Sequence, residues 1–203
     1  MDYLVVIFFS YISGSIPYGL ILTKIFKNID IRNIGSGNIG ASNVLRSGNR
    51  ILGIVTLVMD VLKGYAPILV SQSFYPEQVQ IAALMVFLGH LFPVWLKFKG
   101  GKGVATYLGV LFAISLSSSF LFIFTWVTVL LIFKYPSVSS MFSALTVLVV
   151  NVIKVNAISA IDKSLLNSDD INFILFVFFI LIIFAHRKNI HNLKNKIENK
   201  IKI

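Results

Sequence analysis

Long apolar blocks alternate with short polar segments along the whole chain, and this pattern predicts helices that cross a membrane. The apolar blocks cover 3–26, 51–71, 78–95, 104–133, a stretch that ends near 158, and 171–185. A helix needs about 20 apolar residues to cross a bilayer, and most of these blocks are long enough. The strict alternation of a half-buried strand does not occur. The sequence therefore predicts an all-α, polytopic membrane protein.

The block 104–133 decides how many helices cross the membrane. As one helix it would extend for ~45 Å, whereas the hydrocarbon core is ~30 Å thick. The serine-rich stretch 115–119 lies midway and could turn the chain, which gives two crossings and seven transmembrane helices in all. Seven crossings place one set of cations together on one side: Arg32, Arg46, Arg50, Lys97, Lys99, Lys102, Lys134 and the basic tail. Because cytoplasmic loops are rich in lysine and arginine, we expect an outside N-terminus and a cytoplasmic C-terminus.

Composition narrows the classes of function. The chain has 18 basic and 8 acidic residues, a net charge of +10 and no cysteine. The basic residues lie in loops and are not interleaved with base-stacking aromatics, so we expect membrane lipids and no nucleic acid as partners. The lack of cysteine excludes disulfides, thiol nucleophiles and thiolate metal sites. No basic segment precedes the first apolar block, so no signal peptide is expected, and 1–203 is predicted to be a single domain.

Four polar segments, at about 27–50, 97–103, 134–140 and 186–198, are the candidate site loops. In the first, glycines at 35, 37 and 40 alternate with uncharged donors, and Arg46 offers a planar fork for phosphate oxygens. Polar, glycine-rich loops beside a membrane usually line a site, although a solvated connector is the alternative. The candidate site residues here are Ser36, Gly37, Asn38, Gly40, Asn43 and Arg46.

The second segment places Gly100, Gly101 and Gly103 around Lys102. This spacing predicts a concave group of backbone N–H donors that suits an anion, with the positive end of a helix starting at Val104 beside it. The segment matches neither the Walker A nor the dinucleotide fingerprint, and a tight basic turn between two helices is the structural alternative.

Several polar residues fall within or beside the apolar blocks. Asp60 and Lys63 share a helix face at membrane depth, so we expect an ion pair or a cavity lining, and favour the ion pair. Gly14, Pro17 and Gly19 are expected to interrupt the first helix, and a kinked packing helix is favoured over a ligand role for this kink. His90 lies about two turns before the glycine loop that starts at Lys97 and suits packing or a site role equally well. Ser137 or Ser139 is expected to cap a helix.

The predicted cytoplasmic side is rich in amides, hydroxyls, cations and two histidines, but poor in carboxylates. A two-metal site needs clustered acids, and a paired-carboxylate hydrolase needs two, so no metal and no cofactor are expected. This inventory favours the binding of phosphate groups at the membrane surface, with apolar helices available for an acyl chain.

Three stretches resemble one family, the bacterial acyl-phosphate:glycerol-3-phosphate acyltransferases. Residues 13–19 and 35–43 resemble its first motif, 89–106 its second, and 186–190 the start of its third. Residues 60–64 and 134–140 also match. The third motif departs from the family pattern: Asn192 stands where the family usually has arginine and Lys196 where it has glycine, while Glu198 fits.

The resemblance implies transfer of an acyl group from an acyl phosphate to the 1-hydroxyl of glycerol 3-phosphate. This is the first step of phospholipid synthesis, in the bacterial plasma (inner) membrane, with the active site facing the cytoplasm. The His-x4-Asp pair of acyl-CoA-dependent and acyl-carrier-protein-dependent acyltransferases is missing, since Trp95 follows His90 and His191 follows His186 at that spacing. An acyl phosphate is already activated, so no covalent enzyme intermediate is needed.

The resemblance also suggests a role for each candidate residue. The loop 100–103 with Lys102 is expected to hold the donor phosphate, and Ser36, Asn38 and Arg46 to complete an electrostatic clamp. His186, Asn189 and Ser139 are expected to orient glycerol 3-phosphate, and Glu198 completes the substrate-binding set. The general base is His90, His186 or the donor's own phosphate, whose second pKa would lie near ~6. All these loops are expected to form one cradle.

Two other classes of function remain. A transporter or channel for an anionic phosphorylated metabolite could use the same loops, but helices one and two have no inverted-repeat partners later in the chain. The polar loops are also predicted on one side only. A membrane scaffold would account for the basic tail but not for the glycine-rich loops.

Overall fold

The computed structural model describes residues 2–161 and 169–201, with side chains described outside 158–170. Within these ranges the regular structure is entirely helical, which confirms the predicted fold class. The backbone divides into two compact units, 1–114 and 115–203. The prediction of a single domain over 1–203 stays a prediction.

The first unit contains six α-helices and three 3₁₀ turns within the described residues. The helices are α1 (Asp2–Ser15), α2 (Tyr18–Lys27), α3 (Ala41–Arg46), α4 (Arg50–Phe74), α5 (Val79–Leu91) and α6 (Val104–Ile114). The turns are Ile31–Asn33, Pro76–Gln78 and Val94–Leu96. Helix α1 packs against α5, and α4 packs against α6.

The first membrane span is interrupted where the sequence predicts. Helix α1 ends at Ser15 and α2 begins at Tyr18, because Pro17 has no N–H group and its ring clashes with a continuing helix. The carbonyl of Ile16, at this break, accepts a hydrogen bond of 2.7 Å from Lys63 Nζ on α4. The side chain of Lys63 thus satisfies a backbone group that the interruption leaves without its helical donor.

A small apolar cluster holds the first polar loop against the helices. Its members are Leu20 from α2, Ile31, Ile39 and Val44 from the loop and α3, and Leu52 from α4. Ile31 and Val44 are fully buried. Because burial of each such side chain contributes roughly 1.5–3 kcal/mol, this cluster gives the polar segment 27–50 a defined position on the first unit.

The second unit contains α7 (Leu116–Phe133), α8 (Pro136–Ile161), α9 (Asp169–Ala185) and α10 (Arg187–Lys194). Ser115 precedes α7, and its hydroxyl accepts a hydrogen bond of 3.3 Å from Ser118 N–H. Two side-chain hydrogen bonds join α7 to α8: Trp126 Nε1 donates to Ser140 Oγ, and Asn151 Nδ2 donates to Ser118 Oγ, each at 3.1 Å.

Five described helical segments are long and apolar enough to cross a membrane: Asp2–Lys27, Arg50–Phe74, Pro76–Leu96, Leu116–Phe133 and Pro136–Ala157. The pair Ile171–Ala185 and Arg187–Lys194, bent by 55°, gives a sixth if it counts as one span. Helix α6 is apolar but shorter, with 11 residues. The chain is therefore a multi-pass membrane protein. The predicted break inside 104–133 lies at Ser115, whereas the count of seven crossings and the sides of the termini stay predictions.

Candidate active site

Asn43 organises the first polar loop. Its side chain is buried, and Oδ1 accepts a hydrogen bond of 2.9 Å from the Ser36 N–H. Its Nδ2 donates to three backbone carbonyls at 2.8 to 3.0 Å, those of Ile31, Ile34 and Asn38. One amide therefore ties the two ends of the glycine-rich stretch together. Its observed contacts are with the loop itself, so Asn43 positions the neighbouring donors.

The loop presents Ser36 and Gly37 at the surface, with Arg46 exposed at the end of α3. Gly35 has a φ of +57°, and a Cβ at this position would collide with Asn43 Oδ1. Asn38 is half-buried, and its Oδ1 accepts a hydrogen bond of 2.9 Å from Gly40 N–H. The backbone is thus held from inside while a hydroxyl and a guanidinium face outward, as an anion-binding loop requires.

An exposed ion pair lies at the entrance to the same loop. Arg32 donates to both carboxylate oxygens of Asp30, with Nη2 2.6 Å from Oδ2. The Arg32 backbone N–H also donates to Asp30 Oδ1 at 3.0 Å, so Asp30 caps the Ile31–Asn33 turn. These hydrogen bonds, that from the Arg32 side chain above all, lower the pKa of Asp30 to about 2. The carboxylate is therefore charged throughout the physiological range.

The glycine–lysine segment is folded back onto the end of α5. The Gly100 N–H donates to Leu91 O, and the Gly101 N–H donates to His90 O, each at 3.1 Å. The predicted concave array of N–H donors is therefore wrong for Gly100 and Gly101, because backbone carbonyls take both amides. These two glycines allow a close approach instead. Gly103, with a φ of +77°, leads into α6.

His90 lies directly beneath this segment. A Cβ at Gly101 would collide with His90 Nε2, so only glycine lets the ring lie against the chain here. His90 Nδ1 is 3.1 Å from Thr106 Oγ1, a hydrogen bond between α5 and the first turn of α6. His90 is buried, whereas Lys102 is partly exposed.

The predicted Asp60–Lys63 ion pair is confirmed, with Lys63 Nζ 2.7 Å from Asp60 Oδ1.

In the second unit, Glu198 joins the tail to two other segments. Its Oε1 accepts hydrogen bonds from Asn189 Nδ2 at 2.6 Å and Ser137 Oγ at 3.1 Å. Its Oε2 accepts from Asn192 Nδ2 at 3.3 Å. Asn192, which stands where the family usually has arginine, thus supplies an uncharged donor to the same carboxylate. The observed contacts of Glu198 are with the protein, so it positions Asn189.

The chain after α10 folds back against the start of α8. The Ile201 N–H donates to Lys134 O at 2.9 Å, and Lys200 Nζ lies 5.5 Å from the centre of the Tyr135 ring. The expected capping role of Ser137 and Ser139 is wrong, because both hydroxyls donate: Ser137 to Glu198 and Ser139 to the Tyr135 carbonyl at 3.1 Å. Ser139 is fully buried.

His186 lies at the junction of α9 and α10 and is almost fully buried. Its Nδ1 is 2.8 Å from the Ile182 carbonyl oxygen, which can only accept a hydrogen bond. Nδ1 therefore carries the proton of the neutral ring, and Nε2 is its acceptor nitrogen. Arg187 is exposed next to it, stacked on the Phe184 ring at 4.4 Å.

The structure thus forms two groups of predicted site residues. The first unit holds Ser36, Gly37, Asn38, Gly40, Asn43, Arg46, His90, Gly100, Gly101, Lys102 and Gly103, and the second holds Ser139, His186, Asn189 and Glu198. That all of them form one cradle stays a prediction. No group of three His, Asp or Glu side chains suited to a metal ion occurs in the part of the chain that the structure describes.

Sequence reasoning missed two contacts. Thr106 is the last residue of the second motif, 89–106, and the motif does not indicate that its hydroxyl binds His90. The sequence predicts the ion pair between Asp60 and Lys63 on α4 but not its neighbour on α5, where His90 Nδ1 lies 4.0 Å from Asp60 Oδ1. The only available signal was the spacing of Asp60 and Lys63, which does not indicate a partner on another helix.

Comparison with known proteins supports one family. The family model described as glycerol-3-phosphate acyltransferase matches residues 4–196. A glycerol-3-phosphate acyltransferase of Pelagibacter ubique (strain HTCC1062) is 49% identical over 204 residues, covering 100% of both chains. One from Wolbachia sp. subsp. Brugia malayi (strain TRS) is 41% identical, covering 98% of this chain and 99% of the relative.

Two solved structures are similar along the whole chain. The crystal structure of PlsY (YgiH), an integral membrane glycerol 3-phosphate acyltransferase, in its glycerol 3-phosphate form has a TM-score of 0.89 and 32% identity, covering 100% of this chain and 96% of PlsY. Its lysophosphatidic acid form gives a TM-score of 0.87 and 31% identity at the same coverage. With a family model over nearly its full length and relatives of this identity, the chain belongs to the glycerol-3-phosphate acyltransferase family.

Proposed function

We propose that this acyltransferase takes its acyl group from an acyl phosphate and transfers it to the 1-hydroxyl of glycerol 3-phosphate. The observation that carries the proposal is the full-length similarity to PlsY, whose two solved forms are a glycerol 3-phosphate form and a lysophosphatidic acid form. These two compounds differ by one acyl group. The missing His-x4-Asp pair supports a donor that is already activated.

The proposed reaction is a direct displacement. The 1-hydroxyl oxygen of glycerol 3-phosphate attacks the acyl carbonyl carbon, the bond from that carbon to the phosphate oxygen breaks, and inorganic phosphate leaves. The hydroxyl proton goes to a histidine or to the departing phosphate. Because both reactants carry phosphate, the protein has to hold two anions at contact distance, and much of the rate enhancement should come from proximity.

The first unit supplies the cationic half of this machinery in the proposal. Lys102 follows the folded-back glycines, and Arg46 and Ser36 face outward from a loop that Asn43 holds. We assign Lys102 and its loop to the donor phosphate, and Ser36, Asn38 and Arg46 to the negative charge that develops as phosphate leaves. Since the amides of Gly100 and Gly101 bind carbonyls, Lys102 has to provide the main attraction there.

The second unit supplies the polar groups for glycerol 3-phosphate. Asn189, which Glu198 holds, and His186 are assigned to its orientation together with Ser139. With Nδ1 bound to the Ile182 carbonyl, His186 has the correct tautomer to accept a proton at Nε2. The donor phosphate remains the rival base. If His186 is the base, His186→Ala should remove the acidic limb of the pH–rate profile, which is the fall in rate as the base becomes protonated; if the phosphate is the base, the shape of the profile should stay unchanged. His191→Ala, in helix α10 that begins directly after His186, is the matched control.

We also propose seven crossings, with α6 as one of them, in the bacterial plasma (inner) membrane. The N-terminus is outside and the C-terminus cytoplasmic, so that the site faces the cytoplasm and membrane lipids surround the helices. The short α6 and the separate α7 support this count, because together they replace one overlong helix. The positive-inside distribution of lysine and arginine supports the orientation.

The decisive assay uses purified protein in sealed vesicles with palmitoyl phosphate and labelled glycerol 3-phosphate, without CoA. We expect labelled lysophosphatidic acid and inorganic phosphate in equal amounts. Lys102→Met should lower kcat/KM by about a hundredfold if Lys102 holds a reacting phosphate. Lys97→Met, an exposed lysine of the same segment, is the matched control and should retain most activity.

Other outcomes would contradict the proposal. Product formed from palmitoyl-CoA but not from palmitoyl phosphate would overturn the assignment of the donor. Uptake of labelled glycerol 3-phosphate into the vesicles without any lysolipid would favour transport.

A further inference from the structure

A line of buried polar side chains runs through the first unit from the break in the first span to the glycine–lysine segment. It begins at the Ile16 carbonyl, which accepts from Lys63 Nζ at 2.7 Å. Lys63 pairs with Asp60 one turn earlier on α4, and the two side chains are only 2% and 3% exposed. Asp60 Oδ1 in turn lies 4.0 Å from His90 Nδ1 on α5.

The line ends at the glycines. His90 touches the segment twice, because its carbonyl accepts the Gly101 N–H and its Nε2 lies against the Gly101 Cα. Thr106 Oγ1 lies 3.1 Å from His90 Nδ1 and belongs to the first turn after the glycines. The ring of His90 is therefore fixed by groups on both sides of Lys102 in the sequence, Gly101 before it and Thr106 after it.

Stability alone does not account for this cluster. Two charges inside the apolar part of a membrane protein are expensive, and a buried ion pair is often no more stabilising than apolar residues of similar volume. Polar groups at such depth are retained mainly where they serve a site. Here they connect three helices to one glycine-rich segment, which is a geometry suited to holding that segment in place.

We propose that Lys63, Asp60 and Thr106 are positioning residues that act through His90 to fix the segment 100–103 and the direction of Lys102. In this arrangement the Thr106 hydroxyl holds the imidazole by a hydrogen bond, and the His90 ring and carbonyl hold Gly101. Asp60 lies beside the ring at 4.0 Å, beyond hydrogen-bond distance, and Lys63 ties Asp60 to the break at Ile16. The inference rests on the proposed function in one respect: that Lys102 contacts a substrate phosphate.

The test compares two identical substitutions at buried threonines of the first unit in the full-length protein. Thr106→Val removes the hydroxyl that binds His90 and keeps the branched side chain. Thr56→Val removes a buried hydroxyl that binds only its own helix, at Leu52 O. Hydrogen exchange of the Gly101 amide reports the position of the segment directly. We expect Thr106→Val to speed this exchange at least tenfold and Thr56→Val to leave it unchanged.

Steady-state kinetics give the second readout. Thr106→Val should raise KM at least fivefold for the same substrate whose KM rises in Lys102→Met, with a smaller effect on kcat. Thr56→Val should change neither KM. A fold that is merely less stable would lower the active fraction and hence kcat, without this selective change in KM.

The ion pair is tested by removing both charges together, since Lys63→Met alone leaves Asp60 buried without its cation and is expected to fold poorly. The double variant Asp60→Asn, Lys63→Met avoids this and should show the same selective rise in KM as Thr106→Val. If the folded double variant has wild-type KM values for both substrates, Asp60 and Lys63 are not positioning residues.

The two proposals fail in different ways. Unchanged exchange of the Gly101 amide in Thr106→Val overturns the positioning inference, whatever Lys102→Met does. Faster exchange together with unchanged KM values in Lys102→Met leaves the positioning inference standing and overturns the assignment of Lys102 to a substrate phosphate.

Discussion

One residue in a left-handed backbone conformation coincides with a position where the sequence departs from the family pattern. Lys196, the second residue after the end of α10, has a φ of +59°. Its N–H donates to Leu193 O and the Ile197 N–H donates to Asn192 O, which is the Schellman arrangement that usually ends in glycine. The resemblance places glycine at this position in the family. The departure thus falls at the residue where glycine has a physical reason to be preferred.

Lys196→Gly should therefore stabilise the end of α10. A residue with a side chain in the left-handed conformation costs roughly 1–2 kcal/mol, and glycine avoids this cost. Because glycine is more flexible in the unfolded chain, the net gain in the free energy of unfolding is about half of that value. We expect slower hydrogen exchange at the Ile197 amide. Lys194→Gly removes the same charge from within α10 and should destabilise it by about 1 kcal/mol. Faster exchange in both variants would contradict the prediction.

The carboxyl of Asp30 offers a pH-dependent test. Its pKa of about 2 in the folded protein lies below the ordinary value of about 3.9, so the pair with Arg32 stabilises the fold above about pH 4 and loses this effect as the pH falls through about 2. NMR titration of the carboxyl carbon measures this pKa. Arg32→Gln should raise it to near 3.9, and Lys24→Gln should raise it less, because Lys24 acts only at a distance. An unchanged pKa in Arg32→Gln would contradict this account. Activity between pH 6 and 8 should not change with the ionisation of Asp30.

At the scale of the elements, the fourth polar segment and the tail that follows it are held in part by contacts distant in sequence. Glu198 accepts from Ser137, Asn189 and Asn192, and the Ile201 N–H reaches the Lys134 carbonyl. All three side-chain donors are uncharged, so the full negative charge of Glu198 strengthens each bond.

Glu198→Gln should loosen this tail. The amide keeps one acceptor oxygen, but its new NH2 group can only donate, so at least one of the three donors loses its acceptor. Loss of a hydrogen bond to a charged group costs roughly 1.5–3 kcal/mol, which corresponds to a tenfold or greater rise in trypsin cleavage within 194–200. Glu77→Gln, at an exposed acid in the turn before α5, is the control and should not change cleavage. Equal cleavage of wild type and Glu198→Gln would show that the tail is held by other contacts.

The same elements show what the sequence could reveal. The breaks at Pro17 and Ser115 were predictable because their causes are local: a missing N–H and an overlong apolar block. The direction of the Gly100 and Gly101 amides was not, since it depends on how the turn 92–99 returns the chain to the carbonyls of Leu91 and His90. The partner of the Ser137 hydroxyl was not predictable either, because Glu198 is 61 residues away in the sequence, whereas helix capping is a local pattern.

At the scale of the whole molecule, the charged pair within α4 is buried, while large apolar side chains on several other helices are exposed. Asp60 and Lys63 are buried against each other, whereas Phe8, Phe124 and Ile153 are more than 60% exposed. An exposed apolar surface of this kind suits lipid and not water. Exposed cations such as Arg46, Lys97 and Lys99 lie at a helix end and in a loop, where lipid headgroups and water can solvate them.

The predicted orientation can be tested in the second unit alone, because the chain has no cysteine of its own. Ser117 lies in the first turn of α7, and Lys200 lies in the tail that follows α10. With seven crossings and a cytoplasmic C-terminus, these two positions are on opposite sides of the membrane. In intact cells or spheroplasts, a membrane-impermeant maleimide should label Ser117→Cys but label Lys200→Cys only after permeabilisation. If 104–133 crossed the membrane only once and the N-terminus stayed outside, Lys200→Cys would react from outside. Protection of both positions from the external reagent would refute the topology, and with it the placement of the basic tail beside a cytoplasmic site.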